Sequence, residues 1–264
     1  MAAALVSISL ANAAADVWFT SERDEIDRTW SGGYIFYPKG ARFRWGSIAD
    51  TLADAKRALA GRRYPTIVYM HGCSGVDVAS TLTAREFLLK GGFVVVMPNS
   101  FARRHKPVSC ILAQHKGGLH RSVVFWRQDE ARNAIREARR LPFVDPDNVF
   151  LVGLSEGAIT TATTTGNEPV NARIVEGWTC HAGYPEYWGL PAPPSEPVLA
   201  MTVEDDPWFK IAVLKGDCGV FMNHDNGSRS VVWRKPHVLH DQHFQLWHPD
   251  AMRMAIDFLR RHMK

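Results

Sequence analysis

The chain has 264 residues, 46% of them hydrophobic and 22% charged, with a formal net charge of +4. That composition sustains a sizeable core and excludes a disordered or low-complexity chain. The mild positive charge is scattered in short pairs such as Arg103-Arg104 and Arg139-Arg140, with no basic stripe interleaved with aromatics, so nucleic-acid binding is not expected.

Residues Ala2 to Ala15 are small, apolar and uncharged, and Ala11-Asn12-Ala13 and Ala13-Ala14-Ala15 resemble A-x-A cleavage sites. A secretory signal peptide is expected here, although the basic n-region is missing; an Ala-rich extension is the alternative. The run is too short to span a bilayer, and no other stretch is long enough. Residues 16–264 are expected to form one domain. Gly33–Tyr37 and Ala41–Trp45 suggest an antiparallel hairpin. Near-continuous apolar runs at Thr66–Met70, Phe93–Met97, Val149–Val152, Arg173–Trp178 and Val198–Val203 predict buried parallel strands, with a sixth at Ser230–Lys235.

Helical patterns fall between them, at Thr81–Lys90, Leu119–Leu141 and Asp250–His262. In the second, Val124, Ala131, Ile135, Ala138 and Leu141 share a face, with Arg and Glu assigned to the other. The Thr-rich run Thr160–Thr165 suits a helix interior poorly and limits the helix after Ser155. The Pro-rich stretch from Leu190 to Pro197 lies between two strands and reads as a surface loop. Strand alternating with helix predicts an α/β fold, its mostly parallel sheet covered on both faces.

The chemistry begins at Gly153-Leu154-Ser155-Glu156-Gly157, directly after the apolar run Val149–Val152. A strand turning sharply through G-x-S-x-G into a helix presents a nucleophilic serine, and its small neighbours let strand and helix pack closely. A serine hydroxyl needs a base to take its proton, and the base needs a carboxylate to orient it. The chain supplies both in the order Ser, acid, His. Glu204-Asp205-Asp206-Pro207 follows one strand, and Asp206 is the expected acid, with Glu204 and Asp205 solvated or capping. His237, His240 and His243 follow the next strand. His240, one short loop beyond the strand, is the expected base; His243 serves if the loop bulges, and His237 is the third choice. These histidines with Asp241 match no zinc signature, so no metal is expected.

Acyl transfer also requires two backbone N–H groups aimed at the developing oxyanion. One is Glu156, after the serine. The other is expected from His71-Gly72-Cys73-Ser74-Gly75, which follows the strand Thr66–Met70, with Cys73 as the donor. The four cysteines match no zinc spacing. An even count in an exported protein permits two disulfides, and loop position suggests Cys73–Cys110 and Cys180–Cys218 out of three possible connectivities. Trp178, Tyr184, Tyr187, Trp188 and Trp208 follow the strands that border the site and are candidates for an aromatic pocket. Arg103 and Arg104 are candidates to meet a substrate carboxylate, against a surface or salt-bridge role.

Over residues 60 to 262 the chain resembles the α/β-hydrolases, and within them the dienelactone hydrolase-like branch. The resemblance is carried by His71-Gly72-Cys73-Ser74-Gly75, Met97-Pro98-Asn99-Ser100-Phe101-Ala102-Arg103, Gly153-Leu154-Ser155-Glu156-Gly157 and Asp206-Pro207. It implies a minimal hydrolase without a large cap domain, and no cofactor is expected. Two departures stand out: the name-giving enzymes carry cysteine where this chain has Ser155, and the histidine loop lacks the simple small-aromatic pair after the His. The expected activity is hydrolysis of a small carboxylic ester or lactone through an acyl-enzyme, in a secreted or periplasmic protein. A peptidase or amidase on the same fold, or an inactive binding protein, are the alternatives.

Overall fold

The computed structural model describes residues 22–264, so the expected signal peptide lies outside the described residues. A helix, α1 (residues 22–31), leads into the hairpin β1 (Tyr34–Lys39) and β2 (Arg42–Ser47), which pair antiparallel as expected. Helix α2 (Ile48–Ala58) follows at once. Ser47 caps it by accepting from Asp50 N, a signal the apolar pattern alone does not show. The remaining strands are β3 (Tyr64–Met70), β4 (Val94–Met97), β5 (Val144–Leu154), β6 (Arg173–Glu176), β7 (Val198–Val203) and β8 (Arg229–Trp233). Between them lie α3 (Val78–Glu86), α4 (Val123–Arg139) and α5 (Glu156–Thr163), and α6 (Pro249–Arg261) closes the chain.

These strands form one eight-stranded sheet in the order β2-β1-β4-β3-β5-β6-β7-β8. From β4 to β8 every neighbour is parallel, and only the β1 and β2 edge is antiparallel. Alternate residues of the central strands build two cores. Ile67, Tyr69, Phe150 and Val152 pack with α3 and with Ala255, Phe258 and Leu259 of α6. Val68, Met70, Val149 and Leu151 pack with Ala55 of α2 and Ala131, Ala134 and Ile135 of α4. Burial on both faces explains why these strands read as continuous apolar runs rather than alternating ones.

Helix α5 stops at Thr163, within the Thr-rich run. The hydroxyls of Thr160, Thr163 and Thr164 each donate to the carbonyl four residues back, a competition that weakens helix continuation. One expectation for α4 fails. Arg127 and Glu130 are not on its solvent face but 1% exposed, turned toward the loops above β3 and β4.

Candidate active site

Ser155 sits between β5 and α5 with φ 56° and ψ −117°, a left-handed backbone that a serine adopts only under constraint. Its amide donates to Glu176 O at 2.8 Å, and its carbonyl accepts from Ile159 N at 3.0 Å. The glycines on either side are sterically required. A Cβ on Gly153 would overlap Gly157 O, and one on Gly157 would overlap Met70 O. Strand, turn and helix therefore touch backbone to backbone, and the β3 loop approaches the same point: a Cβ on Gly72 would lie 3.7 Å from Ser155 Cβ.

That loop is fixed from beneath. His71 is fully buried; its Nε2 accepts from Ser100 N at 3.1 Å, which leaves Nδ1–H to donate to Gly72 O at 2.6 Å. Burial, with the Arg127 guanidinium nearby, holds its pKa well below the usual imidazole range and keeps the ring neutral. Arg127 donates to His71 O at 2.5 Å and to Glu156 Oε2 at 3.0 Å, and Ser109 donates to Glu156 Oε1. One guanidinium thus ties the loop carrying Cys73 to the residue after Ser155. Among the described residues, no acceptor takes the amides of Cys73 or Glu156, and both residues line the same cavity as Ser155. Cys73 is joined to Cys110, and Cys180 to Cys218, the pairing expected from loop position.

On the opposite side the structure departs from expectation. His240 does not reach Asp206; its Nδ1 lies 3.3 Å from Asp241 Oδ1. His243 occupies the place instead. Its Nδ1 is 2.8 Å from Asp206 Oδ2 and 3.1 Å from Oδ1, with both side chains buried. The reason is the loop's path. After the turns at residues 235–241, His240 N bonds back to His237 O and its carbonyl accepts from Asp205 N, which turns the His240 ring aside. The next turn brings residue 243 under Asp206. Asp206 also accepts from Trp208 N at 2.9 Å, and Trp208 and Phe209 pack beside the His243 ring at 5.4 and 5.7 Å. Glu204 and Asp205 instead meet Arg234 and Lys235 at the surface.

His243 Nε2 is buried with no hydrogen-bond partner, and no hydrogen bond joins it to Ser155. Both side chains line one cavity of about 480 Å³. Its walls are mostly apolar, with Ile159, Trp178, Tyr187, Phe209 and Leu214 among them. Of the aromatic candidates, Trp178, Tyr184, Tyr187 and Trp208 line it, whereas Trp188 packs on His181 and Phe221. Arg103 does not face the cavity; it donates to the buried Glu130 at 2.7 Å, and Arg104 pairs with Glu25.

His237 lies apart from the cavity. With His248 and Asp250 it places ligand atoms within 4.8 Å of one another. Both imidazole Nδ1 atoms accept backbone amides, from Leu239 and Asp250, so in the neutral rings the Nε2 atoms carry the protons. His248 caps α6, and the His237 ring packs edge-on against the His248 ring at 5.2 Å.

No protein-family profile and no curated protein sequence matches the chain. Solved structures do. A Klebsiella pneumoniae protein assigned as a dienelactone hydrolase aligns with a TM-score of 0.57 at 15% identity, over 76% of this chain and 89% of its own. P91, a dienelactone hydrolase-like promiscuous phosphotriesterase from metagenomic libraries, aligns at 0.55 and 14% identity, over 88% and 98%. An esterase from the archaeon Pyrobaculum calidifontis aligns at 0.50 and 16% identity, over 94% and 93%. The chain has the α/β-hydrolase fold. The site lies at the carboxyl ends of β3, β5, β6 and β7, where parallel sheets open a crevice.

Two further charged residues, neither among those expected at the site, stand next to it. Arg127 falls three residues after Val124 and four before Ala131, so it lies on the apolar stripe of α4. Glu176 is a lone carboxylate in the apolar run of β6. A charged residue at a core position was the signal in both cases.

Proposed function

We propose that the protein is a serine hydrolase that cleaves a small carboxylic ester or lactone through an acyl-enzyme. The observation that carries this reading is the buried Asp206–His243 pair, opening on the same cavity as Ser155 in its strained turn. In the proposed reaction Ser155 Oγ attacks the acyl carbonyl while His243 Nε2 takes the hydroxyl proton. The amides of Cys73 and Glu156 receive the oxyanion, and the proton passes to the departing alkoxide as the ester bond breaks. Water then enters by the same route, giving a proton to His243 and hydroxide to the acyl carbon, and the acid leaves as Ser155 is restored. Asp206 holds the ring with Nδ1–H inward and stabilises the imidazolium.

The apolar walls favour a neutral acyl group. The arginines near the site are engaged by carboxylates, Arg103 by Glu130, Arg121 by Glu186 and Arg127 by Glu156, and among the described residues no lysine or arginine lines the cavity. Two disulfides support export to an oxidising compartment. No helix of the described residues is long and apolar enough to cross a membrane.

The test is p-nitrophenyl ester turnover with fluorophosphonate labelling. Ser155→Ala and His243→Ala are expected to lose at least ~1000-fold in kcat, and Ser155→Ala to lose the label. His240→Ala is expected to turn over like the parent protein. A labelled, active Ser155→Ala protein rules the reading out.

A further inference from the structure

We propose that Glu176 is a positioning residue that sets the His243 loop against the Ser155 turn from inside the core, a role that rests on the serine-hydrolase reading above. Residue 176 ends β6 and is held on both sides of the site. Its main-chain carbonyl accepts the Ser155 amide at 2.8 Å. Its side-chain Oε1 accepts Gln245 N at 2.6 Å and Leu246 N at 2.7 Å, two and three residues past His243. The Gln245 side chain is fully buried and donates to His243 O at 2.8 Å and Gln242 O at 2.9 Å, so the loop is closed around the two amides that Glu176 holds. The next residue, Gly177, has φ +69°; a Cβ there would lie 2.9 Å from His243 O and 3.2 Å from its Cε1. The histidine loop thus rests on the end of β6, and Glu176 pins it there.

A carboxyl group is a costly way to satisfy two amides at this depth. Glu176 is 1% exposed, no cation pairs with it among the described residues, and its Oε2 has no hydrogen-bond partner. Burial pushes its pKa up to about 7. The titratable group facing it is Tyr69 of β3, itself fully buried and held well above the usual phenol range. Neither group reaches the cavity, so a role in the chemistry itself is not invoked. What the side chain fixes is the position of the ring two residues before the amides it holds.

Misplacing a reacting group by about 1 Å can cost ~100-fold in rate. The experiment is steady-state hydrolysis of p-nitrophenyl butyrate by the full chain and its variants, with circular dichroism to verify folding. Glu176→Ala is expected to lower kcat by ~10- to 100-fold while KM stays within ~2-fold. Glu176→Gln, whose side-chain carbonyl replaces Oε1, is expected to restore kcat to within ~3-fold of the parent. A parental kcat in Glu176→Ala, an equal loss in Glu176→Gln, or a change confined to KM overturns the proposal. Should Glu176→Ala not fold, Glu176→Asp takes its place: it keeps the acceptor but withdraws it by one methylene, and a kcat loss at constant KM is expected. A parental kcat there overturns the proposal. Ser155→Ala in the same assay separates the two levels. If it is active, the serine reading fails; if it is inactive while both Glu176 variants match the parent, only the positioning role fails.

Discussion

The two sides of Ser155 are built on different principles. On the β3 side, glycine-lined backbone touches backbone, and the buried guanidinium of Arg127 joins the Cys73 loop to Glu156. On the β7 and β8 side, a longer loop delivers His243 through a chain of directed hydrogen bonds to Asp206, Gln245 and Glu176. The first side is fixed largely by close backbone contact, with no room for a Cβ at Gly153 or Gly157. The second is fixed by a few polar groups, each of which can be removed singly. Damage to the first should therefore register in stability, and damage to the second in catalysis.

The sharpest way to break that contrast is Arg127→Met. It leaves the Glu156 carboxylate without its guanidinium and His71 O without the guanidinium that donates to it. Removing one partner of a buried ion pair costs about 3–5 kcal/mol, so denaturant unfolding should shift by that much. An unchanged midpoint would mean that the β3 side does not depend on its brace.

The next effect is on the histidine side and depends on pH. Glu176 has a pKa of about 7 in the fold against an ordinary 4.5. The folded state therefore holds this proton more tightly than the unfolded chain. The associated stability is fully present below about pH 4.5 and is lost as pH rises through about 7. The difference corresponds to roughly 3 kcal/mol. Glu176→Gln does not titrate, so its unfolding free energy relative to the parent should climb by roughly that amount between pH 4.5 and 8. A flat difference would place the carboxyl in a far more polar setting than its burial indicates.

The smallest expected effect is that of Gly177→Ala. The added methyl meets His243 O and the ring, at a residue already in the left-handed region. Overpacking of this kind costs about 1–3 kcal/mol. Because the obstacle is His243 itself, kcat should fall more than thermal stability does, whereas the same change at Gly157, against Met70 O, should act mainly on folding.

Much of the first side is legible in the sequence. Gly153, Ser155, Gly157 and His71-Gly72-Cys73 lie in short motifs flanked by their own strands, and the disulfide partners are the ones loop position suggests among three connectivities. The hairpin and the parallel strands are likewise readable, because burial on both faces leaves an unbroken apolar signature in each segment. Helices α1 and α2 are the elements the pattern misses; the start of α2 is set by the Ser47 cap, and its apolar face is narrow. Asp206 is legible from its place after β7. The histidine is not. His240 and His243 differ by three residues in an irregular loop, and distance from the strand end favours the first. What decides is the backbone bond from Asp205 N to His240 O and the two amides on Glu176, contacts that span tens of residues in the chain.

Fold class, the strained serine turn, the loop bearing Cys73 and the aspartate after β7 are local outcomes. Each is specified by residues close together in the chain, where strand period, glycine sterics and turn chemistry act locally. The tertiary structure alone decides which histidine meets Asp206, that Arg127 and Glu176 are buried at the site, and that Arg103 faces Glu130 rather than the cavity. Those outcomes depend on which polar groups from distant segments meet away from water, and no local pattern encodes that meeting.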